Sequence, residues 1–302
     1  EDGSVEVRVA SADMGQGLAH VVAQCTAEEL KLPYHRVRVL LCDTDLTPNG
    51  GPTTASRQTF VSGNAARVTS ALLREALTRS AAEFLDVPPE TLYYEEGLLR
   101  HNGKSVELGQ LVGWMKANGL SSRVRHEYHA PATQPLGTGG DMHFAFSYAT
   151  QAALVEVDME TGAVKVLKIV AGTDIGRAIN PLMLQGQVEG GIVMAMGNCL
   201  TESYIVENGV PWTNLLSRYK MPSIKHAPEI VSHLIEDRVS TGPYGAKGVG
   251  EICSINTSPA ICNAIYHATG IRIFSLPVDQ DALLRAIRAG QTEVYTAWHD
   301  VR

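Results

Sequence analysis

Three times along this chain a glycine-bearing loop runs straight into a segment whose apolar residues recur at helical spacing. Met14-Gly15-Gln16-Gly17 precedes such a segment at 18–31, a Gly/Pro/Thr/Ser loop at 47–58 precedes one at 60–85, and GPYGAKGVGEI at 242–252 precedes one at 257–269. Glycine lets a backbone turn sharply or approach a neighbour closely. The helix start that follows presents unpaired N–H groups at the positive end of its dipole. Val5, Val7 and Val9 alternate with charged residues ahead of the first loop, and RVRVLLC at 36–42 lies ahead of the second. Both read as strands. Strands feeding helices through such turns specify an α+β chain.

The remaining pattern agrees. Pro88 and Pro89 end the long helix. Residues 90–142 predict short strands, a helix near 107–118 and a loop containing PATQPLGTGGD. Strands at 147–158 and 163–172, joined by an ETG turn at 160–162, then lead to a helix at 181–200. After an irregular stretch and the third glycine loop come the helix at 257–269, a strand at 271–275 and a helix at 279–289. The chain is therefore expected to form two subdomains, 1–142 and 143–302, each of mixed sheet with packed helices.

Composition removes several classes of function. The formal net charge of −7 argues against nucleic acid as a partner, because phosphate binding needs a basic face. No apolar run reaches the length of a membrane span. EDGSVEV has neither the basic start nor the apolar core of a signal peptide. Cys25, Cys42, Cys199, Cys253 and Cys262 are widely spaced without a CxxC pair, so no zinc or iron–sulfur site is expected within the chain. They imply a reducing, cytoplasmic setting. The histidines show no HxH or HxxxH pairing. No metal ligated directly by side chains is expected.

Four loops carry candidate chemistry, each with a bland alternative. Met14, Gly15, Gln16 and Gly17 suit an anion at a helix start, with the Gln16 amide as donor and acceptor, or form only a tight strand-to-helix turn. Thr53, Thr54, Ala55, Ser56, Arg57 and Gln58 resemble a phosphate cradle, or supply an ordinary N-cap. In Gln185–Gly191 the glycines weaken a helix unless something compensates, and close helix packing is the expected reason at Gly190 and Gly191. Gln187 there needs a polar partner if its face is buried. Gly248, Val249 and Gly250 make a permissive approach to Glu251, which is either a base aimed at a ligand or a helix-start carboxylate.

Taken in order, these segments resemble one family. MGQG, Asp43-Thr44, TTASR with GNA at 63–65, HFAFSY with VEVD and TG at 143–162, INP with GQVEGG at 179–191, and GAKGVGE with PAI and NAI at 245–265 look like the molybdenum-binding subunit of the xanthine dehydrogenase/aldehyde oxidase family. The match extends over nearly the whole chain and resembles the second of that subunit's two molybdenum-binding domains. The resemblance implies that Gln16 contacts a molybdopterin, in bacterial members usually the cytosine dinucleotide form. It places Thr54 to Gln58 along the pterin and its phosphate, with Ser56 the best match, and Gln187 on the pterin. Gly248 to Gly250 give the backbone close approach, and Glu251 is the catalytic base. It implies hydroxylation of an N-heteroaromatic compound or an aldehyde with water-derived oxygen. Electrons would leave through iron–sulfur clusters and FAD on partner chains or domains.

Ile252 and Cys253 follow Glu251 where many members carry proline. The first molybdenum-binding domain is expected upstream or on another chain of a hetero-oligomer, and the chain alone is expected to be inactive. The alternative is a cofactor-free, non-catalytic subunit of the same fold.

Overall fold

The chain combines helices with small sheets in which three of the described strand pairs are parallel. The computed structural model describes residues 2–294. It divides into two compact units with discontinuous boundaries. Among the described residues the first comprises 2–146, 176–180 and 237–248, and the second 147–175, 181–236 and 249–294.

In the first unit, β1 (Val5–Val9) pairs in parallel with β2 (Val37–Leu41), from Val5 opposite Val37 to Val9 opposite Leu41. The connection between them is α1 (Leu18–Leu30), as a parallel pair requires. Its buried Leu18, Val22, Cys25 and Thr26 follow the helical period, and Lys31 closes it in the left-handed conformation at φ 51°. α2 (Gln58–Leu85) is 28 residues long and ends at Asp86, again left-handed, just before the proline pair. A meander of β3 (Tyr93–Glu95), β4 (Leu98–His101) and β5 (Lys104–Glu107) leads into α3 (Leu108–Ala117). Leu30, Leu77, Leu99, Leu111 and Met115 form one buried core there. Val9, Leu18, Val22, Cys25 and Ala66 form another, against which Tyr244 packs.

The second unit is built on a three-stranded sheet. β6 (Ala149–Val157) and β7 (Val164–Asp174) are antiparallel and are joined through the predicted turn. Asp158 Oδ1 accepts the Glu160 and Thr161 N–H groups at 2.8 and 3.1 Å, and Gly162 takes φ 74°. α4 (Pro181–Leu200) follows, then a small hairpin of β8 (Val206–Glu207) and β9 (Val210–Pro211), and a short α5 (Leu216–Tyr219). β10 (Glu229–Ile235) returns to pair in parallel with β7, inside the stretch read from sequence as irregular.

α6 (Ile252–Ile255) runs into α7 (Thr257–Thr269). β11 (Arg272–Ile273), α8 (Gln280–Ala289) and β12 (Glu293–Val294) complete the described chain, with β11 and β12 parallel. Side chains tie the β6 edge to the helices: Gln151 Nε2 donates to the Cys253 carbonyl at 2.8 Å, and Asn256 Nδ2 to the Ala149 carbonyl at 2.6 Å. No described helix is long and apolar enough to cross a membrane.

Candidate functional site

In the first unit, Asp13 builds the MGQG loop. Its Oδ1 accepts the Gly15 and Gly17 N–H groups at 2.9 and 3.2 Å, and its Oδ2 accepts the Ala19 N–H at 2.9 Å. Burial pushes the Asp13 carboxyl up, but the three backbone donors outweigh it and hold it below the ordinary carboxylate range. Gly15 at φ 105° and Gly17 at φ 84° supply the left-handed turns. Met14 stands 75% exposed. Gln16 folds back on its own loop: its Oε1 accepts the Met14 N–H at 2.6 Å and its Nε2 donates to the Ala12 carbonyl at 2.9 Å.

The second loop is fastened to the first. Thr53 Oγ1 accepts the Ala12 N–H at 2.9 Å. Gln58 Oε1 accepts from the Ser11 and Ser62 hydroxyls at 2.6 and 2.7 Å, and all three residues are buried. Ala55 and Ser56 are consecutive left-handed residues at φ 55° and 52°, a costly arrangement that persists only when its surroundings hold it. Thr54 and Ala55 are exposed and Ser56 is half-buried. The Arg57 guanidinium donates to the Pro52 and Gly50 carbonyls at 3.1 and 2.9 Å, so it braces the loop. Of the residues expected to face a phosphate, Arg57 and Gln58 thus have structural hydrogen bonds to keep.

The glycine loop at 242–248 meets the second of these loops and the helices that follow them. A methyl group on Gly248 would overlap the Ser56 carbonyl oxygen outright and lie 2.7 Å from its carbon. A methyl on Gly63 of α2 would lie 2.9 Å from Pro243 Cγ. Asn64 Nδ2 donates to the Thr241 carbonyl at 2.8 Å, and Tyr244, left-handed at φ 55°, donates its hydroxyl hydrogen to Glu29 Oε1 at 2.9 Å. Three sequence-distant loops of the first unit are therefore brought together around bare backbone.

In the second unit, Gln187 and Glu251 belong to two helices that touch. A methyl on Gly191 of α4 would lie 2.7 Å from Cys253 Cβ of α6, so close packing is the reason for that glycine. The same expectation fails at Gly190, where a methyl would meet nothing within 4 Å, as at Gly186. Both leave α4 backbone open on the turns around Gln187. Gln187 is half-buried, and among the described residues its amide has no hydrogen-bond partner. Val249 is buried, with its carbonyl accepting the Cys253 thiol at 3.1 Å, while Gly250 and Glu251 are exposed. Glu251 occupies the N-cap position of α6, yet its side chain makes no cap hydrogen bond. No group of three or more His, Cys, Asp or Glu among the described residues could hold a metal ion directly.

Asp13, Asn64 and Tyr244 hold these loops in place but were not singled out from sequence. The Asp13-x-Gly15 spacing is a turn signal that could have marked the first.

Residues 1–228 match the family of the molybdopterin cofactor-binding domain. The 6-hydroxypseudooxynicotine dehydrogenase complex subunit gamma of Paenarthrobacter nicotinovorans is 30% identical over 93% of this chain and 36% of its own length. The aldehyde oxidoreductase of Megalodesulfovibrio gigas is 31% identical over 95% of this chain and 29% of its own. The crystal structure of the aldehyde oxidoreductase from Desulfovibrio desulfuricans superposes with a TM-score of 0.78 at 30% identity, covering 94% of this chain and 29% of that one. The chain thus spans about a third of the length of the relatives it matches. With its α+β fold and its ordered loops, the chain belongs to the molybdopterin cofactor-binding domain family of xanthine dehydrogenase and aldehyde oxidoreductase molybdenum subunits.

Proposed function

We propose that this chain is the C-terminal, cofactor-holding part of a molybdenum hydroxylase, with Glu251 as its catalytic base. The observation that carries the assignment of Glu251 is local. It heads α6 without capping it, directly after a glycine stretch and beside the helix that bears Gln187.

The residues fit a pterin cofactor. Gln187 offers a half-buried amide with no hydrogen-bond partner among the described residues, able to donate and accept. Gly186 and Gly190 leave space over the same helix. Ser56 lies against the bare backbone of Gly248, and Met14–Gly17 stand at the start of α1. The residues proposed to hold the group are Met14, Gly15, Gln16, Gly17, Thr54 to Gln58, Gln187, and Gly248 to Gly250. The Gln16, Arg57 and Gln58 side chains act mainly by fixing their loops, so that backbone N–H groups and the Ser56 hydroxyl make the contacts. When bound, the cofactor supplies a molybdenum centre that accepts two electrons from the substrate.

Glu251 receives the proton released as water-derived oxygen is delivered, a task that needs the carboxylate within about 3 Å of that oxygen. Substrates are N-heteroaromatic compounds or aldehydes, classes named in relatives such as the nicotine 6-hydroxylase large subunit of Paenarthrobacter nicotinovorans and the aldehyde oxidoreductases. The pterin is proposed in its cytosine dinucleotide form. The working enzyme is a cytoplasmic hetero-oligomer with a further molybdenum-binding domain and with iron–sulfur and FAD partners.

Glu251→Gln tests the role of the base. It keeps shape and polarity but cannot take up the proton. Turnover by the assembled enzyme is expected to fall at least ~100-fold with cofactor content unchanged, within the range for removing a general base. Near-normal turnover would remove Glu251 from the chemistry.

A further inference from the structure

We propose that Cys199 and Cys262 form an oxidisable dithiol, a modification site at which a hydroperoxide closes a disulfide between α4 and α7. Their sulfurs lie 4.0 Å apart across the packed helices of the second unit. Cys199 is fully buried and Cys262 partly exposed, so one sulfur can meet a small oxidant while the other waits behind it. The remaining cysteines are placed differently. Cys42 is exposed at the end of β2, and Cys25 and Cys253 are buried. Burial pushes the thiols of Cys25 and Cys253 up to about 12 and about 11, which keeps them protonated and unreactive.

The pair divides its roles by exposure. The contact with the Cys199 thiol lowers the Cys262 thiol below its ordinary value. The same contact, with burial, raises Cys199. Cys262, the sulfur open to solvent, is the attacking thiolate, and the buried Cys199 keeps its proton until the second step. In the first step the Cys262 sulfur attacks hydrogen peroxide and the O–O bond breaks. Cys262 becomes a sulfenic acid and hydroxide leaves, taking up a proton as water. In the second step the Cys199 sulfur attacks the sulfenic sulfur, and the S–O bond breaks. The leaving hydroxyl departs as water with the Cys199 proton. Two thiols lose two electrons and two hydrogens, and one peroxide becomes two waters.

Closing the gap requires the sulfurs to move from 4.0 Å to the roughly 2.05 Å of a disulfide, within reach of side-chain rotation and a small helix shift. The bond would tie the helix carrying Gln187 to the helix that follows Glu251 and α6. It is inferred from the two sulfurs alone and stands whether or not a molybdenum cofactor is present.

The test is peroxide titration of the complex purified through this chain, followed by rapid alkylation and peptide mapping without reductant. The expected result is a linked pair of tryptic peptides, 178–218 and 248–272, lighter than their sum by two hydrogens and released by dithiothreitol. Cys253 shares the second peptide, so fragmentation must place the bond on Cys262. In a Cys199→Ala variant, Cys262 should instead be trapped by dimedone as the sulfenic acid. Full alkylation of both cysteines after peroxide would overturn the proposal. So would over-oxidation of Cys262 in the wild type without a linked peptide, or linkage through Cys42. The wild-type map needs no variant, so the outcome does not depend on a substitution in the core being tolerated.

Discussion

Gly248→Ala isolates the feature on which the first unit's loops depend. The added methyl would overlap the Ser56 carbonyl oxygen and lie 2.7 Å from its carbon. Both obstacles are backbone, so no rotamer change relieves them. An ordinary carbon contact lies near 3.5–4.0 Å, and the two loops must therefore part by at least ~1 Å. Forced overpacking costs typically 1–3 kcal/mol, and an obstruction by backbone belongs at or above the top of that range. The expectation is a loss of about 3 kcal/mol.

At a urea slope of about 3 kcal/mol per molar, that is a midpoint lowered by ~1 M. Hydrogen exchange at α2 amides would assign the loss to the first unit. The effect is steric rather than conformational, because Gly248 does not occupy the left-handed region. Gly190→Ala is the matched contrast. Its methyl meets nothing within 4 Å, and alanine in a helix interior gains up to about 1 kcal/mol over glycine. If Gly248→Ala unfolded at the wild-type midpoint, the apposition of Ser56 and Gly248 would be wrong.

Asp13→Asn removes the charge that three N–H groups share, and its amide would face the Ala19 N–H with a donor. A loss of about 0.5–2 kcal/mol is expected at neutral pH, the range for losing a side-chain acceptor of N–H groups at a helix start. Because the folded carboxyl lies below its ordinary value of 3.8, the wild type holds this stabilisation above that pH. It loses it as pH falls through the lowered value, so the gap from the variant should close only in acid, as read by unfolding midpoints from pH 7 to 2. Tyr244→Phe deletes the hydrogen bond to the Glu29 carboxylate and should cost about 1.5–3 kcal/mol in the first unit. An unchanged midpoint would mean that the glycine loop is not anchored there.

Much of the architecture was legible because local signals and burial agree. α7 runs over 257–269 as its apolar spacing and the closing Gly270 dictate, and α1 ends where Lys31 turns left-handed before Pro33. β10 was missed because its partner, β7, lies far back in sequence. Pairing at that distance leaves no local mark, and residues 201–228 before it carry little regular structure. The loops themselves are marked in the sequence by their glycines and polar residues, but how their side chains are used is not. Gln16, Arg57 and Gln58 are polar residues before helices, a pattern that serves a ligand and a loop brace equally well. Only the partners at Ala12, Gly50, Pro52, Ser11 and Ser62 distinguish the two. Gly190 and Gly191 look alike in sequence, and only the position of Cys253 separates a packing glycine from an open one.

Whether these loops hold a molybdenum-bearing pterin is decided by composition. The complex is purified from its native source through this chain, and molybdenum and acid-released cytidine nucleotide are measured against chain concentration. A stoichiometric equivalent of each is expected. A complex with its partner chains present but neither component bound would contradict it, and Glu251 would then be a surface carboxylate at the head of a short helix.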